Sequence, residues 1–371
     1  MASSREVQHR ADRQLLVYLT VLIVFGIVAL MSASAPVGFS RFHDSYFFVK
    51  RQILFGLIPG LVIFLFLAKI NYHYWERFAW LVYIAALILL ALIFVPGLGL
   101  TLNGHHSWLQ IAGFNLQPSE FAKLGLIVVA AYMLAGRKHN WDDWQHSLVP
   151  ILALVAPALA LVVAQPDVGT LSIMIVIIFM MLWMAQVPVR YLLALGSLGA
   201  LGFAVLVLIA PYRADRLTTF LHPELDPQGI GYHINQAFLA VGSGGFWGLG
   251  FGHSRQKFQY LPEVDTDSIF AIVAEENGFI ISVGFVILIL LIGWRGLRVA
   301  KHAPDTFSYL LVGGIMVWLV WQSFLNIGAM VGALPLTGVP LPFMSHGGSS
   351  MIAILAAMGL VVNVSKTSKL V

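Results

Sequence analysis

Carboxylates are concentrated in the segment YLPEVDTDSIFAIVAEENG, residues 260–278, as Glu263, Asp265, Asp267, Glu275 and Glu276. Asp267 is the strongest candidate for chemistry because a long apolar run follows it. Partial desolvation raises the pKa of a carboxylate and makes it a better base. An acid at a helix start can instead satisfy the free amides of the first turn. Position alone leaves both interpretations of Asp267 open.

The other acids of this segment have simpler interpretations. Glu263 and Asp265 lie in its polar part, so we expect both to be solvated loop acids. Glu275 and Glu276 lie about two turns into the apolar run, where a charge that faces lipid is costly. A paired structural role is therefore favoured for them, and Glu275 is kept as a supporting candidate.

A pair of opposite charges occurs in NLQPSEFAKL, residues 115–124. Pro118 and Ser119 are typical of a helix start. Glu120 and Lys123 are three residues apart and therefore share one face of that helix. The pair either fixes helix packing as a salt bridge or orients a nearby acid, and both residues are supporting candidates.

The segment PLTGVPLPFMSHGGSSM, residues 335–351, combines prolines that prevent a regular helix with glycine amides and serine hydroxyl groups. Non-helical backbone at membrane depth is tolerated only where it is buried in protein or lines a cavity. We therefore expect a polar ligand here, with Ser345 and Ser349 as candidate contacts. Asp167 in AQPDVGT is explained by turn chemistry.

Membrane helices must position all of these residues. Of 371 residues, 59% are hydrophobic and 10% are charged, whereas soluble chains carry roughly a quarter charged residues. Apolar runs of about 20 residues, enough to cross the hydrocarbon core as a helix, recur along the chain. We predict an all-α, polytopic integral membrane protein with about ten spans, near 14–34, 53–71, 78–97, 120–136, 148–165, 169–187, 191–211, 269–294, 307–333 and 350–365.

The distribution of basic residues orients these spans. An even number of spans places both termini on one side, and the positive-inside rule makes that side the cytoplasm. The N-terminus, 1–13, and the C-terminus, 366–371, are then cytoplasmic, and we expect the first apolar run to be an uncleaved span. Cations left on the outer side suit an anionic partner; the candidates are Arg213, Arg216 and Lys257.

The longest loop, 212–268, is then extracytoplasmic and precedes the eighth span. Loops of this length are usually functional or disordered, and a helix-like stretch over 232–241 indicates that this one is folded. We treat 1–371 as a single membrane domain. Glycines at positions 196, 199 and 202 predict close helix packing in the seventh span.

Composition also excludes several classes of function. The chain has no cysteine, which removes disulfides, thiolate metal sites and cysteine nucleophiles. Its net charge of +4 reflects basic cytoplasmic loops, so no nucleic-acid partner is expected.

Four separated motifs resemble the SEDS family of shape, elongation, division and sporulation proteins, which includes FtsW, RodA and SpoVE. They are LQPSEFAKL, AQPDVGT, the GYHINQ to HSRQKFQYLPEVDTDSIFAIVAEENG region, and LPLTGVPLPFMSHGGSSM. The resemblance covers nearly the whole chain, and HSRQKFQYLPE is more similar to the FtsW and SpoVE branch. Family members usually have Phe at Ser268 and Tyr at His346.

The resemblance implies a peptidoglycan glycosyltransferase that polymerises lipid II into glycan strands at the outer face of the bacterial cytoplasmic membrane, in division or shape maintenance. It makes Asp267 the essential aspartate and maps the family's loop arginines to Arg213 and Arg216. It implies lipid II, the nascent strand, a class B penicillin-binding protein and other divisome or elongasome proteins as partners. No cofactor is assigned, and assistance by a divalent cation such as Mg²⁺ or Mn²⁺ stays open.

Two other functions compete with this one. A lipid II flippase would need essential polar residues at mid-depth or on both faces of the membrane, whereas a polymerase needs them at the outer face. A scaffold that recruits division proteins would not need Asp267. The outer positions predicted for Asp267, Arg213 and Arg216 favour the enzyme.

Overall fold

The computed structural model describes residues 11–102, 105–111, 114–136, 141–209 and 211–368. Its α-helices are α1 (Arg13–Phe42), α2 (Phe47–Gln52), α3 (Ile58–Leu67), α4 (His73–Arg77), α5 (Ala79–Leu92), α6 (Pro118–Ala135), α7 (Trp144–Ser147), α8 (Val149–Ala164), α9 (Val168–Met184), α10 (Val189–Ile209), α11 (Pro211–Leu221), α12 (Ile230–Gly244), α13 (Ile269–Lys301), α14 (Thr306–Met330) and α15 (Gly348–Ser365). A π-helical turn, Ile53–Leu57, joins α2 to α3, and a 3₁₀ turn, Pro223–Leu225, lies between α11 and α12.

The predicted spans are present among the described residues. The helices α1, α6, α13, α14, α15 and the continuous Phe47–Leu67 unit are long and apolar enough to cross a membrane, and α5, α8, α9 and α10 are shorter apolar helices. The prediction of a polytopic, all-α membrane protein is thus confirmed. The helix ends differ from the predicted spans by several residues, because α1 continues to Phe42 and α13 to Lys301.

The centre of the bundle consists of α6, α14 and α15. Of their most apolar stretches, 78%, 72% and 83% of the residues are buried, against 39% in α1 and 33% in α13. Around them, α9 packs on α14, α5 on α6, α3 on α15, and α1 on α13. The outer helices therefore present one apolar face to protein and one to lipid.

Helix α10 is peripheral, and its surface is almost entirely exposed. A side chain built at Gly199 or Gly202 would meet open space, and one at Gly196 would only touch Phe179. The prediction of close helix packing at these glycines is wrong for the described chain, because no neighbouring helix covers that face.

Residues between α5 and α6 form a small antiparallel sheet that the span prediction missed. Its strands are β1 (Gly99–Leu102), β2 (His105–Ile111) and β3 (Phe114–Leu116), in the order β1-β2-β3. Only one residue separates β3 from Pro118, the first residue of α6. The sheet therefore directs β2 and the start of α6 towards the same region.

The predicted outer loop is folded, and its last part is fixed to a break in α13. Helix α12 contains the predicted helix-like stretch. Gly278 leaves helical geometry, with φ of 72°, and the backbone N–H of Phe279 donates to the Gly245 carbonyl at 2.8 Å. A Cβ at Gly278 would approach the Gly248 nitrogen to 2.3 Å. Close backbone contact therefore requires glycine at Gly278.

The part of α13 that follows this break is a long continuous helix. From Gly278 to Lys301 the helix spans about 34 Å at 1.5 Å per residue, enough to cross the hydrocarbon core. At the far end, Asp12 caps α1 and pairs with Arg295 at 2.8 Å. Its backbone N–H also donates to the hydroxyl of Ser365 in α15. The first, eighth and last predicted spans are thus joined there.

Candidate active site

A cavity of about 290 Å³ lies at the end of the bundle where α13 and α15 begin. Its walls come from β2, the residues before α6 and α9, the loop helices α11 and α12, the segment before α13, and the irregular segment before α15. Four of the sequence motifs therefore meet in one place. Among the described residues, no three His, Asp or Glu side chains stand together as a candidate metal site.

Asp267 lines this cavity two residues before α13 begins. Its carboxylate accepts a hydrogen bond from the Thr266 hydroxyl at 3.5 Å. Burial, together with the nearby Glu263 carboxylate, raises the pKa of Asp267 to about 7. Ser268 is the N-cap of α13, so the Asp267 side chain does not act as the helix cap. A carboxyl group with a pKa near neutrality suits proton transfer.

The two preceding acids differ from each other. Glu263 is exposed, lines the cavity and accepts a hydrogen bond from Thr266 at 2.9 Å. The Asp265 side chain is only 15% exposed and lies 3.8 Å from His346 Nδ1. Burial raises the pKa of Asp265 to about 6, so the expectation of a solvated acid is wrong for Asp265, because the 341–347 segment covers it.

Arg216 is the predicted outer cation whose side chain lines the cavity. It projects from α11, close to the end of α10. Arg213 belongs to the same helix, but its side chain lies outside the part of the chain that the structure describes. A guanidinium group in a cavity with Asp267 can bind an anionic group of a ligand.

Lys257 does not line the cavity. Its side chain is 5% exposed, and its ammonium group pairs with Glu276 at 2.7 Å. It also donates to Ser32 of α1 at 3.2 Å and to the Gly252 carbonyl at 2.8 Å. The predicted ligand contact is thus replaced by an internal ion pair that joins α1, the outer loop and α13.

Glu275 is also outside the cavity. It accepts hydrogen bonds from the Ser254 hydroxyl at 2.5 Å and from the Arg255 backbone N–H at 2.9 Å. Together with the Lys257–Glu276 pair, this arrangement agrees with the structural role favoured for the two adjacent glutamates. These contacts fix the last part of the outer loop against α13 near its break.

Glu120 and Lys123 form a salt bridge of 2.8 Å in the centre of the bundle, with 1% and 0% of their side chains exposed. Lys123 also donates to Gln322 of α14 at 2.6 Å and lies 4.9 Å from the centre of the Trp318 ring. Neither charge lines the cavity. The pair connects α6 to α14 beneath it.

The two candidate serines join the walls of the cavity to each other. The Ser345 hydroxyl donates to the Thr266 carbonyl and accepts from the Leu341 N–H. The Ser349 hydroxyl accepts from the Gln117 N–H at 3.0 Å. Both serines therefore hold neighbouring segments in place, and the adjacent Ser350 lines the cavity instead.

Sequence reasoning missed His233, which lines the cavity from α12. Its Nε2 lies 2.6 Å from the Ser268 hydroxyl, and burial lowers the pKa of His233 to about 4. A neutral imidazole therefore stands beside Asp267. The available signal was its position in GYHINQ, part of one of the four motifs that carry the family resemblance.

Asp167 and Trp108 also line the cavity. Asp167 accepts hydrogen bonds from the Thr170 N–H and hydroxyl at 2.9 and 2.7 Å, as the turn interpretation predicts. Trp108 lies on β2, a strand of the sheet that the span prediction missed. The site thus combines the Asp267 carboxylate, two further acids, a cation, neutral donors and an aromatic side chain, a set suited to transfer of a polar group from an anionic leaving group.

Comparison with known proteins gives a consistent result. A family model described as "Cell cycle protein", that of FtsW, RodA and SpoVE, matches residues 13–370. The chain is 41% identical over 358 residues to stage V sporulation protein E of Bacillus subtilis, across 96% of this chain and 98% of that protein. It is 39% identical over 354 residues to a probable peptidoglycan glycosyltransferase FtsW of a Geobacter species, across 95% and 96% of the two chains.

Solved structures resemble the fold over the same extent. One, from work on structural coordination of polymerization and crosslinking by a peptidoglycan synthase complex, superposes with a TM-score of 0.80 at 30% identity, covering 96% of this chain and 97% of that chain. The Thermus thermophilus rod shape determining protein RodA superposes with a TM-score of 0.71 at 28% identity, covering 97% and 98%.

The Asp267→Asn variant should be more stable than the wild type at neutral pH. The folded chain keeps a proton on Asp267 between its ordinary pKa of 3.8 and about 7, so this group destabilises the fold increasingly as pH rises through that window. Thermal unfolding in detergent at several pH values should show an advantage for the variant that grows with pH. A lower melting temperature for the variant throughout would mean that Asp267 is a structural helix-start acid.

Proposed function

The chain belongs to the cell cycle protein family of FtsW, RodA and SpoVE and is a peptidoglycan glycosyltransferase. We propose that it polymerises lipid II with Asp267 as general base. The resemblance inferred from the four motifs is confirmed, including its FtsW and SpoVE character. The observation that carries the proposal is the partly buried Asp267 carboxylate, which shares a cavity with Arg216 and has a pKa of about 7.

The proposed reaction is a single displacement. Asp267 takes the proton of the GlcNAc 4-hydroxyl of incoming lipid II, and that oxygen forms a bond to the anomeric carbon of the diphosphate-linked chain. The bond from this carbon to the phosphate oxygen breaks, and undecaprenyl diphosphate leaves with the electron pair. One displacement inverts the α-linkage to β.

Other side chains of the cavity have supporting roles in this proposal. Arg216 stabilises the charge that develops on the leaving diphosphate, and Arg213 is assigned the same role. His233, neutral at physiological pH, offers a hydrogen bond to the substrate. Trp108 offers an apolar face to a sugar ring or to the lipid.

The remaining candidates support the reaction through the protein. Their hydrogen bonds connect the segments that carry the cavity residues, and none of them lines the cavity. We assign structural roles to the Glu120–Lys123 pair, the Lys257 and Glu275 contacts, and the Ser345 and Ser349 hydroxyls. Internal pairing also explains how these charges exist within an apolar protein.

The chain is a multi-pass membrane protein, and we infer that both termini are cytoplasmic and that the cavity opens on the outer face. The basic residues of the connections near Arg190 and Lys301 support this orientation. The cavity lies at the opposite end of the helices from the Asp12–Arg295 pair. Lipid II displayed on the outer leaflet can then reach Asp267 directly.

We also propose a class B penicillin-binding protein as partner, within the division or elongation machinery. The similarity to a chain from a peptidoglycan synthase complex that coordinates polymerization and crosslinking supports it. A transpeptidase partner would crosslink the strand that this enzyme makes.

Replacement of Asp267 should abolish polymerisation without loss of folding. Purified Asp267→Asn, assayed with fluorescent lipid II with and without the transpeptidase, should make glycan strands about 10²–10⁴-fold more slowly, the usual contribution of a general base. Asp215→Asn, an exposed acid of α11, is the matched control and should retain activity. Wild-type rates in Asp267→Asn would rule out the base; lipid II crossing bilayers without strand formation would point to a flippase.

The pH dependence of polymerisation should respond to Glu263. Because the base must be ionised, wild-type activity should rise with pH through about 7, the pKa of Asp267. Glu263→Gln removes a like charge and keeps the oxygen that Thr266 contacts, so the rising limb should move to lower pH. Glu224→Gln, an exposed acid of the same loop, should not move it. An unchanged profile in Glu263→Gln would contradict this electrostatic coupling.

Labelling can test the orientation because the chain has no cysteine. Single cysteines in place of Asp215 and Lys301, both exposed, mark the two ends of the bundle. A membrane-impermeant maleimide applied to spheroplasts should label the first variant and reach the second only after permeabilisation. The reverse pattern would invert the proposed topology.

A further inference from the structure

Two amide side chains of α14 lie between the buried charge pair and the proposed base. Gln322 and Asn326 are four residues apart and therefore share one helix face. They are 1% and 2% exposed. Neither lines the cavity, and neither is a charged or nucleophilic residue that sequence reasoning singles out.

Asn326 binds two separate segments of the cavity wall. Its amide group donates to the main-chain carbonyl of Asp267 at 2.7 Å and to that of Val339 at 2.8 Å. One side chain thus sets the distance between the backbone of the base and the irregular segment that faces it. A side chain built at Gly338, the neighbour of Val339, would lie 3.9 Å from the Asp267 carboxylate.

Gln322 extends this connection to the centre of the bundle. Its amide group donates to the Pro340 carbonyl at 2.9 Å. Its oxygen accepts from Lys123 at 2.6 Å and from Trp318 at 2.7 Å. Since Lys123 also pairs with Glu120, continuous hydrogen bonds run from α6 through α14 to the segment beside the base.

The chemistry of the irregular segment explains why amides are needed. A buried carbonyl without a donor costs about 1–3 kcal/mol, and a segment outside a helix has no regular donors of its own. An amide side chain supplies two N–H donors and an oxygen acceptor. Gln322 and Asn326 can therefore bind carbonyls on one side and, through Gln322, the ammonium group of Lys123 on the other.

We propose that Gln322 and Asn326 are positioning residues that hold the backbone of Asp267 and the 338–340 segment at a fixed separation, with the Glu120–Lys123 pair as their anchor. This inference rests on the proposed role of Asp267 as base. A base must lie within hydrogen-bond reach of the hydroxyl that it deprotonates, and a misplacement of about 1 Å can cost about 10²-fold in rate.

The test uses near-isosteric variants in the full-length protein. Asn326→Asp removes both donors to the Asp267 and Val339 carbonyls, and Gln322→Glu keeps the acceptor for Lys123 but removes the donor to Pro340. Ser323→Ala is the matched control, because Ser323 is about equally buried and its hydroxyl donates to the Leu319 carbonyl of its own helix. Each is purified, checked by thermal unfolding, and assayed with lipid II across a range of pH.

We expect both variants to lose about 10²-fold in kcat with KM little changed, and Ser323→Ala to match the wild type. In Asn326→Asp the rising limb of the pH profile should move to higher pH, because a second carboxylate disfavours ionisation of Asp267. If Asn326→Asp does not fold, the kcat of Gln322→Glu decides the matter. A change in thermal stability alone, with wild-type kcat and pH profile, would overturn the proposal.

Failure of this proposal and failure of the proposed function give different results. If Asp267→Asn is inactive while Asn326→Asp and Gln322→Glu are fully active, the base stands and the positioning role falls. If Asp267→Asn keeps its activity, the base is wrong and the positioning role falls with it.

Discussion

Backbone carbonyls that lie outside regular helices at membrane depth must find donors within the protein, and the site depends on how they do so. The 331–347 segment forms a wall of the cavity and cannot become helical because of its prolines. Gln52 of α2 binds it at the Ser345 carbonyl and the Gly347 N–H, and Gln322 and Asn326 bind it from α14. Buried amide side chains of α2 and α14 thus fix a segment that has no regular secondary-structure hydrogen bonds of its own. They thereby fix the position of Asp267.

The charged residues divide into two groups by their surroundings. The Glu120–Lys123 and Glu276–Lys257 pairs are buried, and Asp12 is buried against the partly exposed Arg295, so breaking one of these pairs would leave an uncompensated charge. Asp267 instead is desolvated beside other acids, with one long hydrogen bond to Thr266. The ion pairs hold helices together. Desolvation of Asp267 lowers the stability of the fold and keeps the pKa of its carboxyl group near neutrality, which is the property that proton transfer requires.

A close backbone contact at Gly278 fixes the predicted outer loop against α13. The break at Gly278 allows the backbone of the outer loop to lie directly on α13. There, Glu275 and Glu276 bind the last part of the loop, at Arg255 and Lys257. As a result, the loop that carries Arg216 and His233 is attached at both its helical part and its return. The cavity therefore has a defined wall on the side of this loop, although that wall is made from connections between spans.

The amino-acid sequence was enough to predict the helical membrane class and the spans and to identify Asp267 as the candidate base, because these follow from local composition: long apolar runs, and an acid at the start of one. Tertiary structure alone decided which polar groups surround that acid. Lys257 and Arg216 are both outer-loop cations in the sequence, yet one is buried against Glu276 and the other lines the cavity. Asn326, a neutral residue inside an apolar helix, holds the Asp267 carbonyl from 59 positions away. Such contacts depend on how distant segments pack in space, and the spacing of residues along the chain does not show which segments come together.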